Sequence, residues 1–287
     1  MVTIETQLSA VSVSSELSLY LGRTTPDSWP LALGYQSVGQ VLEVGPDVPT
    51  SWQGRRVVGT WGHASHPQVQ ARRLIAVPDS VSDRPALAVI LGEESIKGVR
   101  KLNLPPDSEV LVIGAGLLGL LSVFNLARLG HKVSVCEPVR DRQELARRFG
   151  AVEVWSPWRA NSVQASFALE CSASPGGFQE LPTNMQPGGR VVVLSDGNWG
   201  TLTLSPEFHR RELTIMASSD GDDYPTYARW LWNNADPLLE RLFEASLPAS
   251  KLAAVLPNLY LCRGQNSVNP VWDGSLTVTG ETRSRLL

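Results

Sequence analysis

The sequence predicts an α/β chain with two architectures, an all-β, barrel-like unit and a doubly wound parallel sheet. Three observations carry that expectation. Residues 1 to about 90 hold short β-like runs punctuated by Gly and Pro, with no long helical period. From Pro85 onward, strand-like and helix-like periods alternate. Within that second stretch, Glu109 to Pro138 reads EVLVIGAGLLGLLSVFNLARLGHKVSVCEP, which is a strand, a glycine turn, a helix and a second strand ending in an acid.

In chain order, the β-like runs of the first part are Leu31 to Leu33, Val38 to Val44, Arg55 to Gly59 and Val69 to Val77. A helix near Ala86 to Leu102 opens the second part. Val110 to Ile113 is a short apolar run suited to a strand buried on both faces. From Leu117 the apolar residues recur with helical spacing until Gly130, and Lys132 to Cys136 reads as the next strand. A helix from Asp141 to Phe149 stops at Gly150. Further strands are expected at Val152 to Trp155, Phe167 to Glu170, Arg190 to Leu194 and Leu213 to Ala217, with Gln186-Pro187-Gly188-Gly189 as the turn that launches the third of these. A helix from Tyr224 to Trp232 and a β-like run from Ser275 to Thr279 complete the reading.

Gly114, Gly116 and Gly119 fall at the G-x-G-x-x-G spacing directly after a strand. Gly114 permits the tight turn, Gly116 lets the backbone approach a pyrophosphate, and Gly119 lets the helix lie close on the sheet. The N–H groups at Leu117 and Leu118 then open a helix and face the phosphates. Glu137 stands where an acid accepts hydrogen bonds from the adenine ribose, which favours NAD over NADP. Arg140 and Arg142 follow it, and either could reach a 2′-phosphate or lie in solvent as an ordinary charge. Because ligands bind at the carboxyl ends of parallel strands, Cys171 and Ser172, and the Ser195-Asp196-Gly197 segment, are expected to line the nicotinamide half.

Composition excludes several classes of function. A formal charge of −3, from 25 basic and 28 acidic residues well mixed along 287 positions, leaves no footprint for nucleic acid or an anionic membrane. The N-terminus lacks the order of a signal peptide, and no apolar run approaches the roughly 20 residues that span a bilayer. Three cysteines, Cys136, Cys171 and Cys262, are far apart, which suits a reducing compartment. We therefore expect a cytoplasmic protein with a small-molecule substrate, no nucleic-acid or membrane partner, and a homodimeric assembly.

The order of parts resembles the medium-chain dehydrogenase/reductase family, in which a GroES-like β domain carries an inserted Rossmann domain. The resemblance rests on Trp29-Pro30-Leu31-Ala32-Leu33-Gly34-Tyr35-Gln36-Ser37-Val38-Gly39-Gln40-Val41, Gly54-Arg55-Arg56-Val57-Val58, Val77-Pro78-Asp79 and the Gly114 to Glu137 unit. Gly62-His63-Ala64, Gly98-Val99-Arg100 and Phe208-His209-Arg210-Arg211-Glu212-Leu213 are most similar to a zinc-free branch that includes the bacteriochlorophyllide hydroxyethyl dehydrogenases. It implies a GroES-like domain over 1–90, trimmed at its N-terminus, a Rossmann domain over 91–220 and a return to the first domain over 221–287. It also implies an NAD(P)-dependent oxidoreductase. Quinone or enone reduction is the runner-up to alcohol oxidation, and a non-catalytic dinucleotide-binding protein is the alternative of another class.

Zinc-dependent members of that family use a cysteine in the early β domain and the histidine of a Gly-His-Glu segment. Here Ser12-Val13-Ser14-Ser15-Glu16 occupies the cysteine region and Gly34-Tyr35-Gln36 replaces the second motif, so no zinc is expected. His63, His66 and Glu93 or Glu94 are the remaining conceivable ligands, but His-x-x-His on a strand splits the two rings to opposite faces.

Without metal, side chains must serve the substrate oxygen. By position in the family, Tyr35 should face the nicotinamide; it either orients substrate or fills the space the metal left. His63 either relays a proton or is structural. Glu94, like Glu93, is either catalytic or a carboxylate favoured by the dipole at a helix start. Ser95 is read as a nicotinamide contact or an ordinary serine of the same helix. Trp29, Trp61 and Trp199 could stack on a flat substrate or pack internally.

Overall fold

The computed structural model describes residues 1–23, 31–156, 164–195, 200–243, 246–251 and 254, with Leu247 and the strand 275–279 described by their backbone. Trp29, Pro30, Asp196, Gly197, Trp199 and Cys262 lie outside the described residues. The elements run β1 (Val2–Ser12), α1 (Val13–Tyr20), β2 (Gln36–Val44), β3 (Arg56–Gly59), β4 (Gln68–Val69), β5 (Ile75–Ala76), α2 (Asp83–Leu102), β6 (Glu109–Ile113), α3 (Leu117–Arg128) and β7 (Lys132–Cys136). They continue with α4 (Arg140–Phe149), β8 (Ala151–Trp155), β9 (Ala165–Glu170), α5 (Pro175–Glu180), β10 (Met185–Val193), α6 (Glu207–Arg210), β11 (Thr214–Ala217), α7 (Tyr224–Asn233), β12 (Ser246–Pro248) and β13 (Ser275–Thr279). Two compact units result: Met1–Ile90 with Tyr224–Leu287, and Leu91–Asp223.

The first unit is built on β1, which sequence reading did not single out as a strand. It pairs antiparallel with β2, β4 and β13 in a sheet ordered β12-β13-β1-β2-β3-β5. Its register against β2 shifts between Thr3 and Ile4 and again between Thr6 and Leu8, so the inward face does not keep a strict period of two. Val2, Ile4, Val41, Val57, Val69 and Leu74 form the core beneath it. The expected run Leu31 to Leu33 forms no strand; instead the Leu33 carbonyl accepts the backbone N–H of His63 at 2.8 Å. Val69 to Val77 divides into two short strands around a single 3-10 turn at Ala71–Arg73.

In the second unit six parallel strands lie in the order β11-β10-β9-β6-β7-β8. Val110 to Ile113 is buried throughout, as a central strand covered on both faces requires. Gly130 and Gly150, with φ of 87° and 114°, end α3 and α4 in the left-handed region that β-carbons disfavour. The segment Gln186-Pro187-Gly188-Gly189 is not a turn outside the strand. It lies inside β10 as an irregularity, where pairing passes from Met185 opposite Ala165 to Arg190 opposite Phe167. Helix α2 begins at Asp83, earlier than expected, so Glu93 and Glu94 sit in its middle and not at its start.

Candidate functional site

From β6 the second sheet grows in one direction through β7 and β8 and in the other through β9, β10 and β11. The carboxyl ends of β6 and β9 therefore form a topological switch point, where an open α/β sheet leaves a crevice. Each glycine of the turn after β6 has a distinct environment. Gly114 has φ +88°, and a β-carbon there would stand 2.9 Å from Cα of Ser172. A β-carbon on Gly119 would lie 2.0 Å from the Gly114 carbonyl oxygen. At Gly116 the added carbon would meet nothing within 4 Å. The first and last glycines thus serve the protein's own packing, whereas the middle one faces open space. Gly116 is also the N-cap of α3, and no side chain caps that helix. The first-turn N–H groups, at Leu117 and Leu118, have no partner within the helix.

Glu137 follows β7 and is 3% exposed. Its Oε2 accepts the N–H of Ala115 at 2.7 Å and its Oε1 that of Val139 at 2.9 Å, so the acid ties the glycine turn to the end of β7. Arg142 is half-buried on α4 and Arg140 is exposed. Burial and the neighbouring Glu137 push the Cys136 thiol up to about 11.

Across the switch point, Glu170 ends β9 with no exposed surface. Its Oε1 accepts the N–H of Ser172 at 2.8 Å and also the Ser172 hydroxyl, while its Oε2 accepts the hydroxyl of Ser195 at the end of β10. Ser172 Oγ in turn accepts the N–H of Ser174 at 3.0 Å. Cys171 stands between, its N–H bonded to the Ile113 carbonyl at 2.9 Å; burial, then the Glu170 charge, hold its thiol far above the ordinary range, which makes it an inert contact. Cys171, Ser172 and Ser195 are thus gathered at one end of the sheet with the glycine turn. Sequence reading missed Glu170, and only its place at a strand terminus could have marked it.

Helix α2 does not contribute in the expected way. Ser95 is fully buried, bonded to Ser122 Oγ at 2.9 Å and to Asn125 Nδ2 at 3.1 Å, which joins α2 to α3 and leaves no surface for a ligand. Glu93 is equally buried and accepts Arg100 Nη2 at 2.7 Å and the N–H groups of Asp222 and Asp223 at 2.9 and 3.2 Å. It is a brace for the segment before α7, and the helix-start dipole account does not apply to it. Glu94 is half-buried in the same helix.

The first unit holds a second polar cluster. Tyr35, half-buried, donates to Ser12 Oγ at 2.8 Å. Ser12 N–H donates to Glu16 Oε1 at 2.8 Å, and Glu16 Oε2 lies 2.8 Å from His63 Nε2. The other ring nitrogen, Nδ1, lies 2.7 Å from Ser9 Oγ, which is 3.0 Å from Ser37 Oγ. Gly34 (φ +92°) presses on this ring, since a β-carbon there would come within 2.8 Å of it. Both nitrogens of His63 are therefore engaged within the fold. His66 is exposed and takes no part. Trp61 donates to Thr6 Oγ1 at 2.9 Å and packs against the first unit's core. Among the described residues, no group of three or more His, Cys, Asp or Glu side chains is placed to hold a metal ion.

No protein-family model matches the chain. The L-threonine 3-dehydrogenase of Serratia proteamaculans is 27% identical over 207 residues, covering 58% of this chain and 60% of that protein. Acetophenone reductase from Geotrichum candidum, solved in complex with NAD, superposes with a TM-score of 0.81 at 18% identity, over 97% of this chain and 89% of its own. A dehydrogenase of the zinc-binding type from Sinorhizobium meliloti, bound to NADP, gives 0.81 at 17% identity, over 97% and 91%. The chain has the fold of these dehydrogenases. Its antiparallel sheet is the GroES-like half-barrel and its parallel sheet the Rossmann fold. The matched stretch spans less than two thirds of the curated relative's length.

Proposed function

We propose that the chain is a nicotinamide-dinucleotide-dependent oxidoreductase that works without zinc on a small or flat carbonyl, alcohol or activated double bond. The observation that carries this reading is the open space over Gly116 at a helix whose first turn has no side-chain cap. The dehydrogenases of the same fold that bind NAD or NADP support its dinucleotide part. Leu117 and Leu118 would hold the pyrophosphate through their N–H groups, Glu137 would border the adenine ribose, and Cys171, Ser172 and Ser195 would border the nicotinamide. Bound there, the dinucleotide supplies hydride chemistry, and the protein must orient the substrate and manage a proton on its oxygen.

Tyr35 and Ser12 suit that second task. The two stand in the segments where the family resemblance places a metal-binding histidine and cysteine, and here they are hydrogen-bonded to one another. Neutral hydroxyls are poor zinc ligands. Because Tyr35 donates to Ser12, the Ser12 proton is left for a substrate oxygen, and no acceptor for it occurs among the described residues. Glu16 fixes the Ser12 backbone, and His63 fixes Glu16; both are positioning residues. A cytoplasmic homodimer belongs to the same reading.

Elemental analysis after exhaustive dialysis, paired with absorbance of the reduced nicotinamide band against a carbonyl, alcohol and quinone panel, tests the proposal. Turnover that survives strong chelators without stoichiometric zinc is expected. One tightly held zinc per chain would overturn the zinc-free part, and dinucleotide binding without turnover across the panel would favour a non-catalytic binding protein.

A further inference from the structure

The buried carboxylate of Glu170 lies just below the surface that the dinucleotide reading assigns to the nicotinamide, and the hydrogen bonds around it have a consistent direction. Ser172 and Ser195 both donate their hydroxyl protons to Glu170, one to each carboxylate oxygen. A serine hydroxyl has one proton and two lone pairs. With its proton spent inward, each oxygen offers only lone pairs to anything beyond it. Ser172 uses one of its pairs on the N–H of Ser174, whereas Ser195, half-buried at the end of β10, gives neither of its pairs to a donor among the described residues. Glu170 is itself held in place, with its carbonyl accepting the N–H groups of Leu194 and Ser195 at 2.9 and 3.2 Å. The acceptors cannot easily be turned round, because rotating either hydroxyl outward would strip a fully buried carboxylate of a partner.

Position in the sheet says which part of a dinucleotide would meet these acceptors. Glu137 lies beyond β6 on the β7 side, where the acid of this fold meets the adenine ribose. Ser172 and Ser195 end β9 and β10, on the opposite side of the switch point, and a β-carbon on Gly114 would touch Ser172. The far half of an extended dinucleotide falls there.

We propose that Glu170 sets Ser172 and Ser195 as a pair of acceptors that reads the amino group of the nicotinamide carboxamide, so that the site selects the amide over the corresponding acid. The inference rests on the dinucleotide reading of the glycine turn. Deamido-NAD, in which a carboxylate replaces the carboxamide, would set negative oxygen against serine lone pairs with a buried carboxylate behind them. Glu170 touches no ligand in this account, and so acts as a positioning residue.

Titration calorimetry of the full chain with NAD, deamido-NAD and ADP-ribose tests it, on the parent, Glu170→Gln and Ser195→Ala. The parent should bind NAD about tenfold or more tighter than deamido-NAD, since deamido-NAD leaves the serine acceptors unpaired and facing like charge. In Glu170→Gln the amide can donate to one serine and release its proton outward, so the ratio should fall toward one while ADP-ribose affinity stays within about twofold. Ser195→Ala should weaken NAD and narrow the ratio, again sparing ADP-ribose. Equal parent affinity for NAD and deamido-NAD overturns the proposal, as does an unchanged ratio in Glu170→Gln. A parallel loss of NAD and ADP-ribose would also overturn it, because that pattern marks a merely structural carboxylate. Failure of the parent to bind any of the three ligands would instead count against the dinucleotide reading itself.

Discussion

The three glycines of the β6–α3 turn should give separable phenotypes, and the separation can be worked out from their surroundings. At Gly116 the backbone φ is −71°, ordinary for any residue, and an added β-carbon meets nothing within 4 Å. The fold loses little in Gly116→Val. Replacing a glycine N-cap by an apolar β-branched residue costs about 1 kcal/mol, a shift of a few degrees in Tm. The same side chain occupies the space through which a pyrophosphate must reach the first-turn N–H groups. Losing several charge-assisted hydrogen bonds at about 1.5–3 kcal/mol each should raise the Kd for NAD and ADP-ribose by a factor of about 100 or more. Gly114→Ala should behave in the opposite sense. Its φ of +88° and a contact of 2.9 Å with Ser172 Cα strain the folded state by about 1–3 kcal/mol before any ligand arrives. Gly119→Ala should be worse, since its β-carbon would lie 2.0 Å from a backbone oxygen. Thermal denaturation and calorimetry on the three variants provide the assay. If Gly116→Val binds NAD like the parent, or unfolds as readily as Gly119→Ala, the reasoning fails.

Two further outcomes are expected. Tyr35→Phe and Ser12→Ala should each reduce turnover by about 10²- to 10⁴-fold, with Tm nearly unchanged, whereas Glu16→Ala should cost about 2–4 kcal/mol of stability by leaving His63 Nε2 and the Ser12 N–H unpaired; equal stability losses in all three would contradict the division between catalytic and positioning roles. Stability should also decline in alkali. The folded chain holds the Cys136 thiol up to about 11. As pH rises from about 8.5 to 11 the unfolded chain therefore loses that proton first, and stability present below this window is lost across it. After allowance for solvent screening the loss is about 1–2 kcal/mol, and chemical denaturation of the parent and Cys136→Ala at pH 8 and pH 11 should show the parent alone losing that increment.

The parallel sheet was legible because its signals are local. Val110 to Ile113 is an unbroken apolar run, and the glycines that end α3 and α4 stand where their positive φ values need them. The antiparallel sheet was legible as a class, but its central strand was not. Val2–Ser12 carries two register shifts, and its buried residues alternate from Val2 to Thr6 but lose that period at Gln7 and Leu8, beside the second shift. Leu31 to Leu33 looked like a strand through composition alone, whereas its carbonyl serves the turn at His63. The polar clusters were beyond local reading for another reason. Ser9 and His63 are 54 positions apart, His63 and Glu16 are 47 apart, and Ser195 and Glu170 are 25 apart. Nothing in a strand-end acid such as Glu170 shows that two serines will surrender their protons to it. Glu93 and Glu94 were read as helix-start carboxylates, although even a start at Ala86 leaves them two turns in, and α2 begins earlier still, at Asp83.

Calorimetric titration of the full chain with NAD and NADP tests the central claim most directly. Saturable binding of one NAD per chain is predicted, tighter than NADP because Glu137 lies beside the glycine turn and a 2′-phosphate would meet like charge, at a cost of about 1–3 kcal/mol. Equal or tighter NADP binding would mean that Arg140 or Arg142 governs the ribose end. The absence of saturable heat with either dinucleotide at millimolar concentration would contradict the account.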